Sequence, residues 1–157
     1  MDMMKFVLYG DPVAQQRCRT FLRGNRMCTF DLQSMFKKNL KNLIQDQIDD
    51  YLFDHPGKYE FPKYPRVVFW FLMPIPKSMG KAERIHAESG LLRHVKKPDV
   101  DNLIKLYLDV LSGIAIEDDN CVSIGKAVKL YSKTPRTIIF VQETEKLLTK
   151  NELNEAA

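Results

Sequence analysis

KPDVDNLIKLYLDVLSGIAIEDDNCV, residues 97–122, contains the clearest helix of the chain and, around it, most of its informative acids. Apolar Leu103, Ile104, Tyr107, Leu108 and Leu111 recur at helical spacing, and Gly113 stands where a helix end calls for a left-handed residue, so a helix is predicted over Asn102–Ser112. Pro98 holds Lys97 extended. If Asp99–Asp101 is extended too, its two carboxylates fall on one side, about 7 Å apart at Cα, and can converge on a cation. Asp101 can cap the helix, and Lys105 and Asp109 follow it at intervals of four, one face of acid, lysine and acid. Hard carboxylate oxygens that leave coordination positions open suit magnesium and phosphodiester chemistry. Asp118 and Asp119, read as neighbours in a strand, face opposite ways, so only one of them is expected to reach a shared metal.

Working outward, Arg66–Met73 is a nearly unbroken β-branched and aromatic run closed by Pro74 and Pro76, the pattern of a central strand buried on both faces. Trp70 is accordingly expected in the core rather than as a base-stacking platform. Lys5–Tyr9 reads as a strand stopped by Gly10-Asp11-Pro12, and Val122–Tyr131 and Arg136–Gln142 as two strands joined through Ser132-Lys133-Thr134-Pro135 in a hairpin. Arginines 17, 19, 23 and 26 punctuate a basic loop or hairpin around Gly24-Asn25. Asp31 is expected to cap a helix running to Leu52, with Leu40, Ile44 and Ile48 among its apolar positions, lysines 37, 38 and 41 mostly on its other side, and a break at His55-Pro56-Gly57. Lys77–Gly90 is expected to be a polar helix, for which Ser78 can serve as cap, or a mobile segment. Short strands and helices so mixed predict an α+β fold, one small domain over residues 1–142 with a mixed sheet packed by helices, and a polar C-terminal helix or tail over 143–157.

At 157 residues the chain is long enough for one domain with its own core, and 45% apolar with 28% charged residues excludes a disordered or fibrous class. Its longest apolar run is far too short for a membrane helix and no signal-peptide layout opens it, so a cytoplasmic protein is expected. Cys18, Cys28 and Cys121 form no metal-ligand spacing and fit reduced thiols. Charge is unevenly spread: residues 5–41 and 63–97 each carry a net +6, whereas 99–129 carries −3. Basic surroundings attract a polyanion, and a compact acidic island repels one unless a cation lies between, a combination that points to metal-dependent work on nucleic acid. Charge alone is better served by two solvated faces. No Walker loop, GxSxG elbow or GxGxxG string is present, so a nucleotide cofactor has no support.

Taken singly, each acidic piece is ordinary: Asp-x-Asp-Asn is a capping sequence, Asp-Asp a turn, and Lys105 with Asp101 or Asp109 a surface pair. Together, Lys97-Pro98-Asp99-Val100-Asp101-Asn102-Leu103-Ile104-Lys105, then Asp109, Gly113 and Asp118-Asp119, closely resemble the signature of the RusA family of Holliday-junction resolvases. The resemblance extends weakly to Gly10-Asp11-Pro12 with Arg17 and Arg19, and to Val128-Lys129. It implies a RusA-like α+β fold, a homodimer, and a crossover junction endodeoxyribonuclease that cuts four-way or branched DNA by paired symmetric nicks in recombination and repair, leaving 5′-phosphate and 3′-hydroxyl ends. It also implies that Asp99, Asp101 and Asp119 are catalytic metal-binding carboxylates, with Asp118 the weaker member, and that Lys105 is the nearby essential lysine. One or two magnesium ions per site, replaceable by manganese, and a phage or prophage origin belong to the same expectation.

Arg17, Arg19, Arg23, Arg26, Lys96 and Lys97 are the expected DNA contacts, whereas His94, beside a basic run, is read as solvated. Two rivals stand beside the resolvase: a non-catalytic, structure-selective DNA-binding protein, and a metal-dependent nuclease acting on other branched or single-stranded DNA. A bare binding surface gains nothing from acids where phosphates must approach, which favours the nuclease.

Overall fold

A computed structural model describes residues 3–146. Its backbone is a four-stranded sheet in the order β1 (Met4–Tyr9), β6 (Arg136–Glu143), β4 (Pro65–Pro74), β5 (Ile124–Ser132), in which β4 and β5 are parallel and the other neighbours antiparallel. Between them come the ribbon β2 (Arg19–Arg23) and β3 (Arg26–Phe30), then α1 (Ser34–Asp54), α2 (Lys81–Glu88) and α3 (Val100–Leu111). The mixed sheet packed by helices is the α+β architecture expected from the sequence.

Alternation in the strands sends Phe6 and Leu8, Val67, Phe69 and Phe71, and Ile139 and Val141 to one face. Leu40, Ile44 and Ile48 of α1 and Leu103, Leu106, Tyr107, Val110 and Leu111 of α3 close over them as one core. The edge strand β1 is tied to α1 by Gln47, whose Oε1 accepts from Val7 N at 2.9 Å while its Nε2 donates to Val7 O at 3.2 Å. α3 ends as predicted, with Gly113 at φ +78°. Because Leu103, Leu106, Tyr107, Val110 and Leu111 of α3 turn inward, Asp101, Lys105 and Asp109 are left on its exposed side.

Several expectations are corrected. No hairpin joins the last two strands: β4 lies between β5 and β6, and the Ser132–Pro135 link arches over its end, where Pro74 pairs with Ser132 and Leu72 with Arg136. Two strand spacings are about 10 Å, within reach of four residues. Trp70 is 41% exposed, since it shares the outward parity of β4 with Val68, beside Val128 and Ile138. Asp31 does not cap α1. Gln33 is the N-cap residue, and Asp31 Oδ1 accepts from Gln33 N at 2.8 Å just before the helix. Nor does Ser78 cap α2, which starts after Gly80.

Of the C-terminal segment expected over 143–157, Glu143 still belongs to β6 and its carboxylate accepts from Lys63 N and Tyr64 N. Residues beyond 146 lie outside the described residues. The three cysteines are free, and no helix among the described residues is long and apolar enough to cross a membrane.

Candidate active site

Asp99, rather than Asp101, occupies the N-cap position of α3. Its backbone is extended, at φ −69° and ψ 142°, but its side chain makes no capping hydrogen bond. Helix geometry begins at Val100, so Asp101 sits in the first turn and the extended Asp-x-Asp geometry is not formed. Both acids stand at the positive end of the helix dipole. They open on a cleft of about 610 Å³ whose other walls are Arg93–Lys97, Val100 and Ala127–Lys129. Two of the predicted DNA contacts, Lys96 and Lys97, therefore share a surface with two of the predicted carboxylates.

Lys105 Nζ donates to Asp101 Oδ2 at 3.3 Å, and this bond is the foremost reason that the Asp101 carboxyl is held below its ordinary range. At the back of the cleft Lys129 Nζ donates to the carbonyls of Lys96, at 2.7 Å, and of Pro98, bracketing the turn that presents Asp99. Burial pushes the Lys129 ammonium down in pKa, with the Asp99 charge opposing that shift. His94 is half-buried rather than freely solvated. Its ring packs on Tyr131 at 4.7 Å, its backbone N–H bonds to Lys129 O, and burial, then Lys129 and Lys96, lower its pKa.

Asp119 opens a 3₁₀ turn, Asp119–Cys121, and Asp118 is the extended residue that caps it; neither lies in a strand, and their carboxyls meet instead of turning apart. Asp118 Oδ1 accepts from Asn120 N at 3.0 Å, which draws its pKa down. Asp119 is pushed up, first by the bond with Asp118, then by burial and the charges of Asp118 and Asp109. Asp118 thus has a local structural task, whereas Asp119 carries surplus negative charge.

Among the described residues no three carboxylate, imidazole or thiol groups are gathered into one set that would hold an ion. Asp99 and Asp101 line the cleft; Asp119 does not line it and stands within the field of Asp109, two turns along α3 from Asp101 or about 12 Å of helix rise. The donor chemistry nevertheless fits a hard divalent cation, because every candidate offers carboxylate oxygen and Asp119 is crowded by like charge that such an ion relieves.

Lys37 was not legible as part of this neighbourhood. It reaches inward, 14% exposed, to bond Asp31 Oδ2 at 3.0 Å and Asp109 Oδ2 at 2.9 Å. Burial alone would lower its pKa, but the bonds to Asp109 and Asp31 make the net shift upward. One signal for it exists in the sequence: residue 37 falls on the stripe that continues through Leu40, Ile44 and Ile48. The predicted arginines stand apart from the cleft, with Arg19, Arg23 and Arg26 on the β2–β3 ribbon and Arg17 in the segment leading to it.

Fold and site together define a small α+β domain that sets exposed acids on a buried helix amid cationic surface. The chain belongs to the endodeoxyribonuclease RusA family, whose profile matches residues 9–142, from the last residue of β1 to the second-last of β6. It is also similar to the Bacillus subtilis (strain 168) protein designated "Uncharacterized protein YqaN", at 33% identity over 147 residues that span 91% of this chain and 98% of that one. At the level of the family, the activity is that of a DNA endonuclease.

Proposed function

We propose that this protein is a magnesium-dependent endonuclease that resolves four-way DNA junctions by paired symmetric nicks, acting as a homodimer. The observation that carries the reading is the placing of Asp99 and Asp101 on one cleft with Lys96, Lys97 and Lys129. Acids in that position weaken the approach of phosphates unless a cation intervenes. Asp99, Asp101 and Asp119 are the residues that would hold magnesium or manganese, with Asp118 the alternative to Asp119. Bound there, a divalent ion supplies Lewis acidity toward the scissile phosphate and lowers the pKa of an attacking water.

The protein's own groups have separable tasks. Lys105, fixed beside Asp101, offsets the charge that develops on the phosphate and keeps the acids assembled. Lys96 and Lys97 hold the backbone of the strand being cut, and Arg17, Arg19, Arg23 and Arg26 hold DNA outside the cleft. Two strands of like polarity must be nicked, and a twofold dimer supplies two equivalent sites.

The test incubates the protein with a labelled four-way junction, linear duplex and single strand, with magnesium or with chelator, and maps the cuts on a denaturing gel. Symmetric, metal-dependent nicks confined to the junction are expected. In Asp101→Asn cleavage falls at least about 100-fold while junction binding holds or tightens, because metal affinity and a repulsive charge are lost together. Junction binding without cuts under any divalent metal, or full activity in Asp101→Asn, overturns the reading.

A further inference from the structure

Among the described residues, the β2–β3 ribbon packs unlike any other strand pair. Nine of its ten strand residues are exposed and none is buried, so it adds nothing to the core. A two-stranded sheet of this kind is marginal alone in water, and strands of five residues carry it roughly 17 Å beyond its stem. The pairing of Arg19 with Phe30, Phe21 with Cys28 and Arg23 with Arg26 places three arginines and two phenylalanines on one face. Phe21 and Phe30 are 51% and 54% exposed. The opposite face carries Thr20, Thr29, Leu22 and Met27. From Arg19 to Phe30 there is no acid.

Both ends of the ribbon are fastened beside the carboxylates. On the entering side Gln15 N donates to Asn102 O at 2.8 Å, next to Asp101, and Gln16 N donates to Gln33 Oε1 at 2.7 Å. Leaving the ribbon, Asp31 is held by Lys37, which also grips Asp109 on α3. The ribbon is therefore an arm whose base is set by the same helix that carries the candidate site.

Arginines interleaved with open aromatic rings and no acids form a surface for a partner that is at once anionic and stackable, which describes nucleic acid with exposed bases. Paired duplex shows phosphates but hides its base faces; the branch point of a junction offers both. We infer that the Arg19–Phe21–Phe30 face of the ribbon is the specificity-determining element for branched DNA, with Phe21 and Phe30 stacking on bases at the branch point and Arg19, Arg23 and Arg26 holding the flanking phosphates. This inference rests on the junction-nuclease reading and adds the part of the protein that selects the substrate.

The experiment measures binding of the full chain, with chelator present, to a four-way junction and to linear duplex of equal length. A second junction carries 2-aminopurine at the branch point. For Phe21→Ala with Phe30→Ala, junction affinity should fall by about 5-fold or more per stacked base lost, since each stack contributes on the order of 1–3 kcal/mol, with duplex affinity held within about twofold. The 2-aminopurine signal change seen with the wild type should vanish. Phe21→Tyr with Phe30→Tyr keeps both rings and should restore binding and signal, and Leu22→Ser with Met27→Ser, on the other face, should leave both intact. Folding is checked by circular dichroism.

An unchanged junction-to-duplex ratio in the alanine pair, an equal loss on both DNAs, or a selective loss only in the Leu22/Met27 pair overturns the inference while leaving the nuclease reading standing. A wild-type protein with no preference for the junction removes that reading, and this inference with it.

Discussion

Replacing Lys129 by Met keeps the length and apolar stem of the side chain and deletes its ammonium, which the fold uses as a clasp. Two bonds are lost, to the carbonyls of Lys96 and Pro98. Hydrogen bonds from a charged donor contribute about 1.5–3 kcal/mol each, so the pair sets a ceiling of roughly 3–6 kcal/mol. Both carbonyls stand near the open cleft and recover water on release, which brings the net loss to about 2 kcal/mol. With a urea slope of about 2 kcal/mol per molar, the unfolding midpoint should fall by about 1 M. The turn that presents Asp99 then loosens, and cleavage should drop roughly 10- to 100-fold, in keeping with the cost of small misplacements at a reacting centre. Lys129→Arg, which retains the charge, should recover part of both losses. Hydrogen exchange over residues 96–99 reports the clasp directly. An unchanged midpoint together with unchanged protection of those amides would refute the reasoning.

Two further outcomes concern the fold. Tyr59 donates its hydroxyl to Ala115 O at 2.9 Å, and burial pushes its pKa from 10.0 up to about 12. An acid with a raised folded pKa lends stability that is whole below pH 10 and lost as pH climbs from 10 toward 12. Tyr59→Phe should therefore cost about 1 kcal/mol at pH 7 and flatten the alkaline decline in urea midpoints, leaving the shares due to Tyr107 and Lys37, whose pKa values folding also raises; an unaltered slope between pH 10 and 12 would contradict the assignment. Leu103→Ala, at a fully buried position on the helix that carries the acids, should cost about 3 kcal/mol by urea unfolding, and a loss below about 1 kcal/mol would show that this helix does not anchor the core.

Local chemistry in the chain specifies local structure well. Apolar spacing and Gly113 define α3, Gly24-Asn25 defines the ribbon turn, where Gly24 adopts φ +62°, and the run from Arg66 to Met73 defines the interior strand. Long-range choices leave no such mark. Turn residues at 132–135 are compatible with a hairpin, but the most apolar strand takes the central place, and β4 inserts between the two strands the turn connects. The same run does not reveal that the second sheet face lacks a covering layer at Trp70. Lys37 and Lys129 escaped for a related reason: Asp109, the site partner of Lys37, lies 72 residues away and the carbonyls held by Lys129 lie 31–33 away. Each nevertheless sits where parity betrays it, Lys37 on the buried stripe of α1 and Lys129 on the inward parity of β5, opposite Phe71.

The acids were legible as a group, but their individual conditions required the fold. Asp99 holds the cap position without capping, and Asp101 and Lys105 form an exposed pair at 3.3 Å, of a type that water and salt screen and that stabilises little. Asp119 is in the opposite situation from a stabilising group, because a carboxyl whose pKa rises on folding is one whose ionised form the fold disfavours. Asp118, by contrast, is held ionised by Asn120 N and repays its position structurally. Turn formation therefore accounts for Asp118 and the Lys105 pair for Asp101, and leaves Asp99, which caps nothing, and Asp119, which like charge crowds, as the acids whose place the proposed cation would explain.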